Sequence, residues 1–310
     1  MQRLAREGLG EDAPRKPKVI YVMGAGHSGS TILGVALGNC DGVFYAGELE
    51  EWLVASGESP IGGTDRTQFW KRVGEGVSDA RPIFGLEANR CIERSSSVLR
   101  VGRWAARRRL RATYRRVAQE LLRSVARASG ASTIVDSSHF PLRARELKAL
   151  GGIELFVIFL VRDAQSVVSS ELRGIHRHNV AERRVRTLAL NASLSLTNLL
   201  SALVFRSHPP AKRLFVRHED FLADPAGAIR RILDMAGSDA PLPNFSALRT
   251  GLPLLANKLI DSDLVALREA AGPPPRQSLL TAAVQGVWAR ALAPLQPKFE
   301  PRASTPPARR

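Results

Sequence analysis

Apolar and polar positions follow two different rhythms along this chain, and the places where one gives way to the other mark its elements. Val19-Ile-Tyr-Val-Met23 is a continuous apolar run of strand length that stops at Gly24-Ala-Gly-His-Ser-Gly-Ser-Thr31, after which apolar residues return at helical spacing. Ile153-Glu-Leu-Phe-Val-Ile-Phe-Leu-Val161 is a second such run, rich in β-branched and aromatic residues, as a parallel strand buried on both faces requires. It turns helical after Arg162. Thr133-Ile-Val-Asp-Ser-Ser-His-Phe-Pro141 predicts another strand, a polar turn and a helix that Pro141 starts. Arg213 to Pro225 predicts a late strand feeding a helix over 226–236, and the stretch 181–205 a long helix whose Leu188, Leu190, Leu194, Leu196, Leu199 and Leu200 are mostly core. Alternating strands and helices of this kind make a mostly parallel sheet with helices on both faces.

The break at residues 24–31 carries chemistry. Gly24, Gly26 and Gly29 allow a tight turn, so that successive N–H groups and the positive end of the following helix converge on one anion. Against the nucleotide-triphosphatase pattern G-x-x-x-x-G-K-[ST], the glycines at 24 and 29 and the hydroxyl at Thr31 fit, but Ser30 stands where the lysine belongs. Without that lysine the loop lacks the usual cation for β- and γ-phosphates, which argues against ATP or GTP hydrolysis. A single terminal phosphate or phosphosulfate suits it better.

The segment Gly24-Ala-Gly-His-Ser-Gly-Ser-Thr-Ile-Leu33 resembles the 5′-phosphosulfate loop, G-x-x-[RK]-[ST]-G-[ST]-[ST], of bacterial-type sulfotransferases that use 3′-phosphoadenosine 5′-phosphosulfate (PAPS). The resemblance implies a P-loop-type α/β fold of three layers and a cofactor site formed by Gly26, His27, Ser28, Gly29, Ser30 and Thr31. His27 replaces the family's Arg or Lys, so the charge there depends on pH. Arg162 and Ser170 stand at the spacing of the pair that binds the 3′-phosphate in these enzymes, and a capping salt bridge between Arg162 and Asp163 is the purely structural alternative. Gly47-Glu48 is similar to the glycine-glutamate pair of tyrosylprotein sulfotransferases, which makes Glu48 the first candidate for the catalytic base. His139, before Phe140 and Pro141, is the rival base and resembles an arrangement in cytosolic sulfotransferases. A solvated first-turn carboxylate beside Glu50 and Glu51 is the structural alternative for Glu48. The element Arg217-His-Glu-Asp-Phe-Leu-Ala-Asp-Pro225 matches a mainly structural family motif. The adenine-binding motif is poorly matched, with Ala256-Asn-Lys258 and Pro275-Arg276 as faint candidates. The implied reaction moves a sulfonate to a hydroxyl of a small molecule, carbohydrate or lipid. A small-molecule kinase, or a non-catalytic module binding anions or nucleic acid, stays open as an alternative.

Composition bounds this picture. The 310 residues, 44% hydrophobic, suffice for one substantial core, read as a single domain over residues 17–296 with flexible segments at 1–16 and 297–310. No continuous run of about 18 apolar residues and no charged-then-apolar leader is found, which predicts a cytoplasmic protein without a membrane anchor. Cys40 and Cys91 alone give neither a disulfide framework nor a metal-ligand spacing, so no metal is expected. Lys and Arg outnumber Asp and Glu by 45 to 29, a net charge of +16, concentrated in Arg100 to Arg116. Such a surface suits an anionic acceptor or peripheral contact with a membrane, without an obligatory nucleic acid. A solvated helix face explains the same arginines.

Overall fold

The computed structural model describes residues 16–60, 62–173, 180–267 and 279–295. Five strands form one parallel sheet: β1 (Lys18–Gly24), β2 (Val43–Gly47), β3 (Thr133–His139), β4 (Glu154–Val161) and β5 (Arg213–Arg217), in the order β2-β3-β1-β4-β5. A two-stranded antiparallel ribbon, β6 (Leu248–Arg249) with β7 (Leu264–Val265), lies apart from it. The helices are α1 (Ser30–Gly38), α2 (Glu50–Val54), α3 (Thr64–Glu75), α4 (Leu86–Ala88), α5 (Arg103–Ser129), α6 (Pro141–Leu147), α7 (Ala164–Arg173), α8 (Val180–Ser207), α9 (His218–Ala223), α10 (Pro225–Met235) and α11 (Leu279–Leu292).

Side chains of β1 leave alternately toward two cores, as strand geometry demands. Val19, Tyr21 and Met23 pack with Trp70 and Val73 of α3 and with Tyr114, Val117 and Leu121 of α5. Ile20 and Val22 pack on the other face with Leu33 and Leu37 of α1 and Ile229 and Ile232 of α10. The three-layer α/β arrangement expected from the alternation of strands and helices is what forms. Its strand order reverses at β1, which has β3 on one side and β4 on the other, so the crevice beyond the C-terminal ends of β1, β3 and β4 is where a ligand fits such a sheet.

Three expectations need correction. In α8 only Leu194 of the six leucines is buried; Leu190, Leu196 and Leu200 are half-buried, and Leu188 and Leu199 are 51% and 42% exposed. The inward face of α8 instead carries Asn191, Asn198, Ser201, Ala202, Val204 and Phe205. A search for one continuous apolar run also overlooks the segment Val185–Ser207, which is long and apolar enough by length and composition to cross a membrane, at a mean hydropathy of 1.6. The arginine-rich run is likewise more than a solvated face. Arg107 is buried and donates to the Cys91 carbonyl and the Ser97 hydroxyl, while Arg111 and Arg115 pair with the buried Glu146. Leu99, Val101 and Trp104 at its start are exposed.

Candidate active site

The loop of residues 25–29 joins β1 to α1 with no Cβ to spare at its tightest point. Gly29 has φ of 90°, and a methyl group there would lie 2.3 Å from Nδ1 of His218. The loop is braced by the buried Ser28, whose hydroxyl donates to the Ala25 carbonyl at 2.7 Å. Among the described residues, the N–H groups of Gly26, His27 and Gly29 have no acceptor, a tight turn at Gly26 and His27 leads into Ser28, and the N–H groups of Ser30 and Thr31 open helix α1. This is a cradle of donors at the positive end of a helix, the arrangement an oxyanion occupies.

Two walls rise beside it. Arg162, at the C-terminal end of β4, donates from Nη1 to the His27 carbonyl at 3.1 Å and so clips the strand to the loop. Asp163 does not pair with it: its carboxylate caps α7 by accepting the Ser166 N–H at 2.8 Å, and its own N–H donates to Glu219 at 2.9 Å. The structural alternative is thus met only in its capping half, since Asp163 caps α7 without an ion pair to Arg162, and Glu219 of the late motif holds the turn. Ser170 sits half-buried on α7, and its neighbour Glu171 reaches His27 at 3.5 Å. Arg162 borders a cavity of about 390 Å³ that also contains Arg217, Gln285 and Trp288. Ser170 does not line it.

On the opposite side, β3 ends in His139, whose φ of 54° is rare for a residue with a side chain and whose ring packs against that of Phe140. A buried network holds that strand end. Asp136 accepts from the N–H and hydroxyl of Ser138 with one oxygen and from Nε and Nη2 of Arg143 with the other, the latter at 3.1 and 3.0 Å. Arg143, 1% exposed, also donates to Glu93 and to the Tyr114 hydroxyl, both at 2.9 Å. Local pattern did not show this network, because Glu93 and Tyr114, which complete it, lie 50 and 29 positions from Arg143.

Glu48 follows the edge strand β2. Gly47 has φ of 79°, and a Cβ there would meet the Leu255 carbonyl at 2.3 Å; that carbonyl accepts the Glu48 N–H at 2.8 Å. The chain thus turns sharply and is pinned by residues 253–258, the same segment that brings the Asn257 N–H to 3.5 Å from the Thr31 hydroxyl. Asn257 and Lys258 accordingly sit near the loop, whereas Pro275 and Arg276 lie outside the described residues. Glu48 is half-buried, and Glu50 is 1% exposed, so neither is the solvated first-turn carboxylate of the structural alternative. Ligand atoms of Glu48, Glu50 and His139 all lie within 4.8 Å of one another. Desolvation, then the charges of Glu51 and Asp136, pushes the Glu48 carboxyl up to about 7. Burial raises Glu50 well above the usual carboxylate range, and its Oε2 has no hydrogen-bond partner. Desolvation, then the charge of Arg94, lowers His139 to about 4, so its ring is neutral at pH 7. Two carboxyls and an imidazole also form a donor set that a divalent cation could bridge, which the cysteine count did not suggest.

His139 borders a second cavity, of about 330 Å³, with Gly24, Ala25 and Gly26 of the loop, Arg94, Ser95 and Ser96, Phe140, and Val167, Leu190, Leu194 and Thr197 from α7 and α8. His218 is a further residue that local pattern did not single out. It is buried against Gly29 with an unpartnered Nδ1, and burial and the charge of Arg162 lower it to about 4.

No curated protein matches the chain by sequence. In solved structures, the fold is similar to the sulfotransferase domain from the curacin biosynthetic pathway (TM-score 0.50, 17% identity, 89% of this chain and 98% of that one). It is also similar to sulfotransferase STF9 from Mycobacterium avium (TM-score 0.51, 13% identity, 92% of this chain and 78% of that one). At such identities the likeness speaks for the fold alone. The sequence itself goes further, since residues 17–241, which contain the loop, Glu48, His139, Arg162 and the capped turn at Asp163, match the model of the sulfotransferase family, and the chain belongs to that family.

Proposed function

We propose that the protein transfers a sulfonate from PAPS to a hydroxyl of a small molecule, carbohydrate or lipid. The observation that carries this reading is the company the anion cradle keeps: its glycines line one cavity together with His139, which lies within 4.8 Å of the carboxyls of Glu48 and Glu50, and its His27 carbonyl is held by Arg162, which borders the other cavity. The donor set fits the nucleotide: the N–H groups of residues 26, 27 and 29–31 suit its 5′-phosphosulfate, and the Arg162 fork suits a 3′-phosphate in the cavity shared with Arg217 and Trp288. Ser170, His27, Ser28, Ser30 and Thr31 complete the proposed cofactor residues.

The acceptor then enters from the His139 side. Its oxygen attacks sulfur, the bond from sulfur to the phosphate oxygen breaks, and adenosine 3′,5′-bisphosphate leaves. The acceptor's proton passes to Glu48, whose affinity for it at neutral pH follows from its burial. His139 is uncharged there and acts as a hydrogen-bonding partner of the transferring group rather than as a cation. Loop donors stabilise the charge that grows on the leaving phosphate, which is where most of the acceleration of such a transfer arises. Calorimetry with adenosine 3′,5′-bisphosphate, ATP and an oligonucleotide tests the assignment. Binding of the bisphosphate alone is expected; preference for ATP supports a kinase and preference for the oligonucleotide a binding module.

A further inference from the structure

The cavity beside His139 contains one cation whose binding capacity is unspent. Arg94 is exposed and forms no ion pair among the described residues, although its charge is felt by Glu51 and by His139. Its orientation is nonetheless set. Nε donates to Asn89 Oδ1 at 2.9 Å, Asn89 donates to the buried Glu93 at 3.0 Å, and Glu93 is locked to Arg143. The guanidinium carbon stands 5.9 Å from the centre of the Phe140 ring. With Nε occupied, the two terminal nitrogens remain as a planar fork directed at whatever fills the cavity.

The rest of the lining says what that is. Glu171, the carboxylate on this wall, is engaged by His27. Ser95, Ser96, Ser193 and Thr197 offer hydroxyls, and Phe140, Val167, Val168, Leu190 and Leu194 offer an apolar surface. The Phe140 ring packs 4.2 Å from that of His139 and lies next to Arg94, so the arginine is one ring removed from the cluster that handles the proton. An anion on Arg94 is therefore displaced from the transferring sulfonate.

Resting on the sulfotransferase reading, we propose that Arg94 recognises a carboxylate or a similar oxyanion on the acceptor, whose apolar body lies against α7 and α8 and whose hydroxyl faces His139 and Glu48. The acceptor class is thus small amphiphilic hydroxy acids or their phosphate and sulfate counterparts, of a size fitting about 330 Å³.

The test uses matched probes: 6-hydroxyhexanoate and 4-hydroxyphenylacetate, each against its methyl ester. They are titrated calorimetrically into wild type, Arg94→Gln and Arg94→Lys, with and without adenosine 3′,5′-bisphosphate. Each acid is expected to bind wild type about ten- to a hundredfold tighter than its ester, the range for one charge-assisted pair. Arg94→Gln should abolish that preference at an unchanged melting temperature, and Arg94→Lys should restore part of it. Equal binding of acids and esters, no binding of either at millimolar concentration, or a preference that survives Arg94→Gln would overturn the proposal. So would equal loss of acid and ester turnover, which would assign Arg94 to the donor's sulfonate. Failure of the bisphosphate itself to bind refutes the donor assignment separately, and the titrations without nucleotide still judge Arg94.

Discussion

Glu48 should make the protein less stable at the pH where it works, and Glu48→Gln should relieve this. Its carboxyl ionises at 4.5 when free and at about 7 in the fold. At about 1.4 kcal/mol for each tenfold change, that rise sets about 3 kcal/mol against the ionised form. For a carboxyl raised on folding, the native state binds more protons than the unfolded chain between pH 4.5 and 7. Its stabilising contribution is complete below 4.5 and is lost as pH climbs through 7. His139 and His218 slope the other way, because each is lowered to about 4 and the unfolded chain takes up their protons first. The wild-type profile therefore mixes both slopes, and the difference between wild type and Glu48→Gln isolates the carboxyl. Thermal melts should show no difference near pH 4.5 and a gain for the variant of about 1–3 kcal/mol at pH 8, roughly 2–4 °C for each kcal/mol in a domain of this size. Turnover should fall about 100- to 10,000-fold in the same variant with bisphosphate binding retained. A variant no more stable than wild type at pH 8 would refute the claim that this carboxyl is held against its ionisation.

Three other expectations follow from the same geometry. Gly29→Ala forces a methyl group into His218 at a positive φ and should weaken adenosine 3′,5′-bisphosphate at least tenfold in calorimetry, at a stability cost of about 1–3 kcal/mol; near-normal affinity would mean the loop is not the anion site. Arg143→Ala leaves Asp136 and Glu93 buried without their cation and should cost about 3–5 kcal/mol in urea denaturation; a loss below about 1 kcal/mol would show that the network does not hold β3. His139→Ala should lower turnover less than Glu48→Gln does, and the reverse order in steady-state kinetics would exchange their roles.

How far the sequence was legible depended on whether the relevant residues were neighbours in it. β1, the loop and α1 were readable because an apolar run, glycines and returning helical spacing are contiguous, and β4 was readable because it is buried on both faces. Glu48 was nameable from its Gly-Glu context. Its burial was not, since the residues that enclose it include Leu255 from the far end of the domain. The Asp136–Arg143–Glu93 network and the seating of His218 under Gly29 depend on contacts across 50 and 189 positions, and neither has a local signature. Arg94 looked like one arginine among many, and only its fixed Nε and open fork distinguish it. The leucines of α8 were misassigned because a helix apolar on several faces does not declare which one turns inward.

The central claim is that the strand-end arginine reads the 3′-phosphate of a PAPS-type nucleotide across the loop. It is tested most directly by titrating adenosine 3′,5′-bisphosphate and AMP into wild type and Arg162→Ala. Wild type should prefer the bisphosphate, and the variant should lose about 1.5–3 kcal/mol for it while its affinity for AMP stays nearly unchanged. Equal weakening of both ligands, or a wild type that does not distinguish them, would contradict the account.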